Sequence, residues 1–389
     1  MRIAVVIERI EPWRGGAETS TRQFIHHLVR RGCEVHVLTA GSMPRSPGVT
    51  VHAIPVRAPT RGEQTVRFMQ RAEEEITHER FDLVHSMVPI TCCDVYQPRG
   101  GTVAESVERN LALIRSNWFR RAKRMANRFN AKQRSLLRRE ACLFNRRSGP
   151  LVAALSRYVV DQLKRHYRID PARVRLVFNG VDVPDAPEDR RVKDRHDLRA
   201  RYGLGSQELV LLSVAHNFKL KGVGRCIEAM ERLARRGGPV TKVLIVGRDD
   251  PAPYRRLAER LRIADRVIFT GPTEQVTAFY HAADILVHPT YYDPCSRVVL
   301  EALASGLPAI TTRHNGAAEV IEDGVHGYVI DSADAVDQLA DRIARLADDD
   351  HRLACGRYSR LLRDQLSMAR HADEMLAVYQ EVLQQRGTP

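Results

Sequence analysis

The chain has 389 residues, enough for two or three domains and a sizeable core. At 43% hydrophobic and 28% charged it has an ordinary globular composition, and no run of about 18 apolar residues exists to form a spanning helix. A net charge of +14 and a pI near 9.8 point to an anionic partner, whether phosphorylated substrate, lipid surface or nucleic acid, unless they reflect a general arginine bias.

The N-terminal stretch "MRIAVVIERIEPW" holds an apolar run too short for a signal peptide and reads as a first buried strand, residues 2–8. A helix over 17–32 follows, with Phe24, Ile25, Leu28 and Val29 on one face and Gly32 as its stop. Strands are expected at 34–40, 81–86, 151–155 and 174–182. Residues 184–200, polar and proline-bearing, read as a linker. A second series then alternates strands at 209–215, 242–247, 266–271, 284–289 and 308–312 with helices at 223–236, 252–262, 273–282 and 295–305. Two such runs imply two parallel sheets, each covered by helices and facing the other across a cleft. The seven cysteines show no metal or redox spacing, so a reducing cytoplasm is the simple reading.

The charge is concentrated between Arg115 and Arg147, which holds twelve Lys/Arg and one acid, Glu140. Trp118, Ala122, Met125 and Phe129 recur at helical spacing, flanked by Arg120, Arg121, Lys123, Arg124 and Arg128. Such an aromatic stripe among cations is the pattern of a helix lying in a lipid interface. The plainer reading packs Trp118, Met125 and Phe129 on the N-terminal domain and leaves the arginines solvated. A third reading, an Arg cradle for a phosphorylated acceptor headgroup, can coexist with docking. Nucleic acid is not expected, because no recognition motif accompanies the charge.

Ligands of parallel sheets bind beyond the carboxyl ends of the strands. After the first strand, Gly15 and Gly16 in "WRGGAE" let backbone approach a ligand and open a helix. No GxGxxG accompanies them, and a plain glycine loop is the rival reading. After the strand 209–215 comes "HNFKLKGVGR". Lys219 and Lys221 stand at a helix N-terminus, against the helix dipole, which is favourable if a diphosphate lies between. A solvated basic loop is the alternative. After the strand 284–289 comes "TYYDPCSRVVLEALASG". The amides of Cys295, Ser296 and Arg297 open a helix that can bind phosphate. Glu301 stands in its second turn, where a carboxylate can accept two hydrogen bonds from vicinal ribose hydroxyls. Asp293 either holds sugar hydroxyls or, followed by Pro294, caps the helix. Alone, Glu301 would read as an exposed helix residue.

Together these segments resemble the retaining glycosyltransferases of family 4, which have the GT-B fold. That family carries a Glu, seven residues and a second Glu; here the pair is Asp293 and Glu301. "EALASGLPAITTRHNGAAEVIEDGVHGYVID" follows as the family pattern would, "HNFKLKG" is similar to its donor-phosphate loop, "RGGAE" to its N-terminal Gly-Gly loop and "NGVD" (179–182) to its inter-domain junction. Within the family the likeness is to the lipopolysaccharide core glucosyltransferase I group, which has a tract similar to "DVYQPRGGTVAESVERN" followed by a basic membrane-facing insert. Two departures stand out: Asp293 is one methylene shorter than Glu, and the arginine often paired with the phosphate lysine is replaced, with His216 or Leu220 at its place and Lys219 as the substitute.

The resemblance implies an acceptor domain over 1–183 with a basic insert at about 115–147, a nucleotide-sugar domain over 200–366, and a C-terminal helix over 367–389 that packs back on the N-terminal domain. It implies that Lys221, Asp293 and Glu301 carry catalysis. The donor set adds Gly15, Gly16, His216, Lys219, Gly271, Cys295, Ser296, Arg297, Asn315 and Gly316. His85 and Arg99 are candidates for acceptor contacts, although a core histidine is the plainer reading of His85. The membrane-contact set is Trp118, Arg120, Arg121, Lys123, Arg124, Met125, Arg128 and Phe129. The reaction expected is transfer of a hexose from a nucleotide-diphospho-sugar, resembling UDP-glucose, to a lipid-linked or cell-envelope glycan. The enzyme is expected to be peripheral on the cytoplasmic face of the inner membrane, with no metal and no cofactor. A non-catalytic protein of the same fold that binds membrane or nucleic acid, and a sugar-nucleotide epimerase, are the alternatives.

Overall fold

The computed structural model describes residues 1–11, 15–44, 46–114, 116–146 and 148–387, and the side chains of 128 and 129 are outside that description. Trp13 and Arg14 of the Gly-Gly loop therefore lie outside the described residues. The chain divides into two compact units, Met1–Gly180 with Met368–Pro389, and Val181–Ser367.

The first unit is built on β1 (Arg2–Val6), β2 (Glu34–Thr39), β3 (Val49–Ala53), β4 (Leu83–Ser86), β5 (Val95–Tyr96), β6 (Leu151–Ala154) and β7 (Val174–Leu176). They form one parallel sheet in the order β3-β2-β1-β4-β5-β6-β7. Its helices are α1 (Gly16–Arg30), α2 (Arg61–His78), α3 (Val103–Ala112), α4 (Asn117–Phe129), α5 (Ala131–Asn145) and α6 (Arg157–His166). The central strands are buried on both faces and are therefore continuous apolar runs, as in "IAVV". Phe24, Ile25 and Leu28 of α1 pack on one face of the sheet. Phe68, Met69 and Ala72 of α2, Phe144 of α5 and Leu163 of α6 pack on the other.

The second unit opens with α7 (Glu188–Arg201). It continues through β8 (Leu209–Val214), α8 (Val223–Arg235), β9 (Thr241–Val246), α9 (Ala252–Arg260), β10 (Val267–Gly271), α10 (Val276–Ala282), β11 (Ile285–His288) and α11 (Arg297–Ala304). It closes with β12 (Ala309–Thr312), β13 (Gly327–Ile330), α12 (Val336–Arg345) and α13 (Asp349–Leu361). Its parallel sheet runs β10-β9-β8-β11-β12-β13. The final helix, α14 (Met368–Gly387), belongs to the first unit, where Met368, Ala372, Met375 and Tyr379 join the core under α1.

Three elements differ from expectation. Residues 184–200 are not a linker: most of them form α7, which the second unit holds through Arg195 and Arg199 donating to the Asp284 carboxylate at 2.7 and 2.6 Å. The strand expected over 174–182 stops at Leu176. The basic segment is two helices rather than one, because Asn130 leaves helical geometry (φ −72°, ψ 104°) and its side chain caps α5 by accepting from the Gln133 amide at 3.0 Å.

Candidate active site

In the second sheet the strand order reverses between β8 and β11, and ligands of doubly wound sheets bind at the carboxyl ends of the strands flanking such a reversal. The loops after these two strands are stitched together: the Tyr291 amide donates to the Leu220 carbonyl at 2.9 Å, and the Thr290 hydroxyl to the same carbonyl at 3.2 Å. Gly222 turns into α8 with φ 71°, and a Cβ there would lie 2.1 Å from the Pro289 carbonyl oxygen, so only glycine fits this close approach.

The joined loops place Lys221 against Asp293, with Nζ 2.5 Å from Oδ2 and 3.3 Å from the Tyr292 carbonyl oxygen. Burial would raise the Asp293 pKa, yet the Lys221 charge and the His288 contact overcome it and hold the carboxyl well below the usual range. His288, the last residue of β11, puts Nε2 3.3 Å from Ser296 Oγ and 3.9 Å from Asp293 Oδ2, and its complete burial lowers its pKa. Asp293 is not the N-cap of α11. That helix starts at Arg297 with Ser296 as its cap, and Asp293 Oδ1 instead accepts from the Cys295 amide at 3.2 Å in the lead-in loop.

Glu301 lies in the middle of α11 with 15% of its side chain exposed. Oε2 accepts from the Tyr280 hydroxyl at 2.9 Å, and Oε1 from Arg297 Nη2 at 2.6 Å. Tyr280 was invisible to sequence reasoning, since it stands 21 positions away on another helix, with no local pattern to link the two.

Several expected donor contacts are differently engaged. The Ser296 amide donates to Asn315 Oδ1 at 3.0 Å, and the Cys295 amide is held by Asp293, so an anion at this helix start competes with bonds already made. The Gly316 amide donates to the Asp293 carbonyl at 3.0 Å, and the Asn315 amide to Thr312 at 3.1 Å. Asn315 also bonds Thr311 and the Ala317 amide, so the pair braces the Asp293 loop and does not present free amides to a sugar. Gly271 ends β10 at φ 77° with open space where a Cβ would be. Lys219 and His216 are exposed in the loop after β8. The His216 pKa is lowered by desolvation and then by the charge of Arg248, a cation just beyond β9 that no local pattern singles out.

In the first unit, Gly15 is the N-cap of α1 and Gly16 its first residue, at the carboxyl end of β1. His85 is a core residue and not an acceptor contact. It is fully buried, its Nδ1 lies 2.6 Å from the Tyr379 hydroxyl, and burial followed by the nearby Arg99 charge depresses its pKa. Arg99 is likewise packed beneath α1, donating to Ser20 Oγ at 2.5 Å beside the Phe24 ring. That burial removes both from the surface an acceptor would meet. Among the described residues, two His/Glu groups have the spacing of metal ligands, His52–Glu75–Glu79 and Glu105–Glu108–His166, but arginines already pair with each: Arg2 with Glu79, Arg109 with Glu105, and Arg165 with Glu108.

The packing reading of α4 fails for Trp118 and Met125: no described residue of this helix is buried, and Trp118, Phe119 and Met125 are 71%, 61% and 54% exposed. Arg121, Lys123 and Arg124 are exposed with them, whereas Arg120 donates back to the Ile114 carbonyl from Nε (3.0 Å) and Nη2 (2.7 Å). The Arg128 and Phe129 side chains lie outside the described residues.

Residues 14–184 match Glycosyltransferase Family 4, and residues 194–362 match the family described as glycosyl transferases group 1. The chain is 25% identical over 343 residues to the lipopolysaccharide glucosyltransferase WaaG of Escherichia coli, covering 87% of each chain. A crystal structure of WaaG superposes with a TM-score of 0.80 at 24% identity over 97% of this chain and 99% of that one. Anabaena Alr3699/HepE, solved in complex with UDP-glucose, gives 0.70 at 17% identity over the whole of both chains. With one family match on each unit and the fold shared from end to end, the chain belongs to the family 4 glycosyltransferases of the GT-B fold and is a hexosyltransferase.

Proposed function

We propose that the chain moves a hexose from a nucleotide-diphospho-sugar, UDP-glucose in preference to other donors, to a lipid-linked or cell-envelope glycan such as lipopolysaccharide core, with retention of anomeric configuration. The observation that carries the donor half is the Lys221–Asp293 pair at the strand reversal, with Glu301 held on the helix that follows. Lys221 offsets the charge that grows on the leaving diphosphate. It reaches that role by exchanging Asp293 for the diphosphate, which frees the carboxylate for sugar hydroxyls. Glu301 accepts from the ribose. Arg248 and Lys219 are the cations that take the place of the missing loop arginine. The donor choice draws support from the bound UDP-glucose of Alr3699/HepE, and the acceptor class from the lipopolysaccharide substrate in WaaG's name.

The exposed apolar and basic residues of α4 favour a peripheral position on an anionic membrane, beside a lipid-linked acceptor. No described helix is long and apolar enough to cross a membrane. The test of the donor reading is hydrolysis or transfer with UDP-glucose against GDP-mannose. Turnover of the guanine nucleotide-sugar alone would replace the proposed donor.

A further inference from the structure

The Glu301 carboxylate is gripped from two sides. Tyr280 reaches it from α10 and Arg297 from the preceding turn of α11, one donor to each oxygen. Both are close to fully buried, at 3% and 9% exposure. Burial, and then the negative charge of Glu301, hold the Tyr280 pKa well above its ordinary value, so the phenol remains a donor. An ionised carboxylate accepts only, at about four lone-pair positions. Two are taken here, one on each oxygen, and one on each oxygen remains.

A glutamate on a helix surface samples many rotamers, and each contact it makes must offset the loss of that freedom. Glu301 has already lost it, because donors on two different helices agree on one position. A phenylalanine at 280 would fill the same space in the core. The hydroxyl is therefore the part of Tyr280 that needs a reason, and its partner is the carboxylate expected to meet the donor.

We propose that Tyr280 and Arg297 are positioning residues that lock the Glu301 carboxylate with its two remaining lone-pair positions toward the 2′- and 3′-hydroxyls of the donor ribose, and thereby make the site selective for ribonucleotides over 2′-deoxyribonucleotides. This rests on the donor reading of Glu301 given above.

The test is calorimetric titration of the full chain with UDP, GDP and their 2′-deoxy counterparts, for the wild type and Tyr280→Phe. The wild type binds its preferred ribonucleotide about 10-fold more tightly than the deoxy form, the worth of one good charge-assisted hydrogen bond. In Tyr280→Phe the ratio falls to about 2- or 3-fold, because the ribose form, which loses the positioning of two hydroxyl contacts, weakens more than the deoxy form, which has only the 3′ contact to lose. If both forms weaken equally, or the ratio is unchanged in the folded variant, Tyr280 is only a core residue and the proposal is overturned. Should Tyr280→Phe fail to fold, Arg297→Met is read by the same ratio and decides. If the wild type itself makes no distinction at the 2′ position, or binds neither nucleotide, the donor reading of Glu301 falls and the positioning role falls with it.

Discussion

Lys221 Nζ and Asp293 Oδ2 lie 2.5 Å apart, with 19% and 15% of their side chains exposed, so the two loops at the strand reversal are joined through a largely buried ion pair. Removing one partner of such a pair leaves the other charged and uncompensated, which costs more than the pair itself contributes. Asp293→Asn keeps the side chain's shape and an oxygen for the Cys295 amide, but strands Lys221. Transfer should fall about 100-fold, while free UDP binds as well as before or better, since Lys221 no longer has to leave a carboxylate. Initial-rate transfer assays paired with UDP calorimetry check this, and normal transfer would show that Asp293 is structural.

Glu301→Gln tests the ribose contact. Affinity for nucleotide and turnover should drop about 10- to 100-fold, the equivalent of 1–3 kcal/mol. Stability should fall too, by about 1–3 kcal/mol, because Arg297 is left without its carboxylate in a buried position. Unaltered nucleotide affinity by calorimetry would remove Glu301 from the donor site.

Glu140 titrates where most carboxylates do not. It is fully buried, and although the Tyr167 hydroxyl (2.5 Å), the Val103 amide (2.8 Å) and the Tyr96 hydroxyl (3.1 Å) all favour its charged form, burial pushes its pKa up to about 7. The folded state then binds a proton more tightly than the unfolded one. Stability from this group is complete below the unfolded value near 4.5 and is lost as pH rises through 7. Glu140→Gln should match the wild type at pH 4.5 and exceed it by roughly 2–3 kcal/mol at pH 8. Denaturant unfolding at the two pH values reads the difference; parallel behaviour of the two proteins would mean that the carboxyl stays charged.

The membrane reading of α4 is tested through Arg121, Lys123 and Arg124, which are exposed, while Arg120 is left alone because it holds the Ile114 carbonyl. Each cation near an anionic surface contributes about 1 kcal/mol, so changing all three to Gln should weaken sedimentation with anionic vesicles about 100-fold. Donor hydrolysis should be unaffected. A wild-type protein that ignores such vesicles at low salt is not a membrane-docking one.

What could be read from the residues was what is local. "LVLLSVA" and "DILVHP" are buried on both faces, so their strands show as unbroken apolar runs. The Asp293–Glu301 spacing is visible because loop and helix are consecutive. The two-residue strand β5 left no pattern, and neither did α7, whose order comes from arginines that reach Asp284 on a distant stretch of chain. The grip of Tyr280 on Glu301 was hidden for the same reason. The engaged amides at Ser296 and Gly316 were missed because their acceptors, Asn315 and Asp293, are chosen by the fold and not by neighbours in sequence.

The return of α14 to the first unit fixes an order of events during synthesis. Domains are generally completed as they emerge, N-terminal first. Here the sheet made first waits for Met368, Ala372, Met375 and Tyr379, which fill the core beneath α1 and follow the whole second unit in the chain. The second unit, made later, has all its parts earlier. A stop codon shortly after Ser367 would therefore spare the unit nearest the break and expose the interior of the one farthest from it, so truncated chains should be cleaved first within residues 1–180 on limited proteolysis.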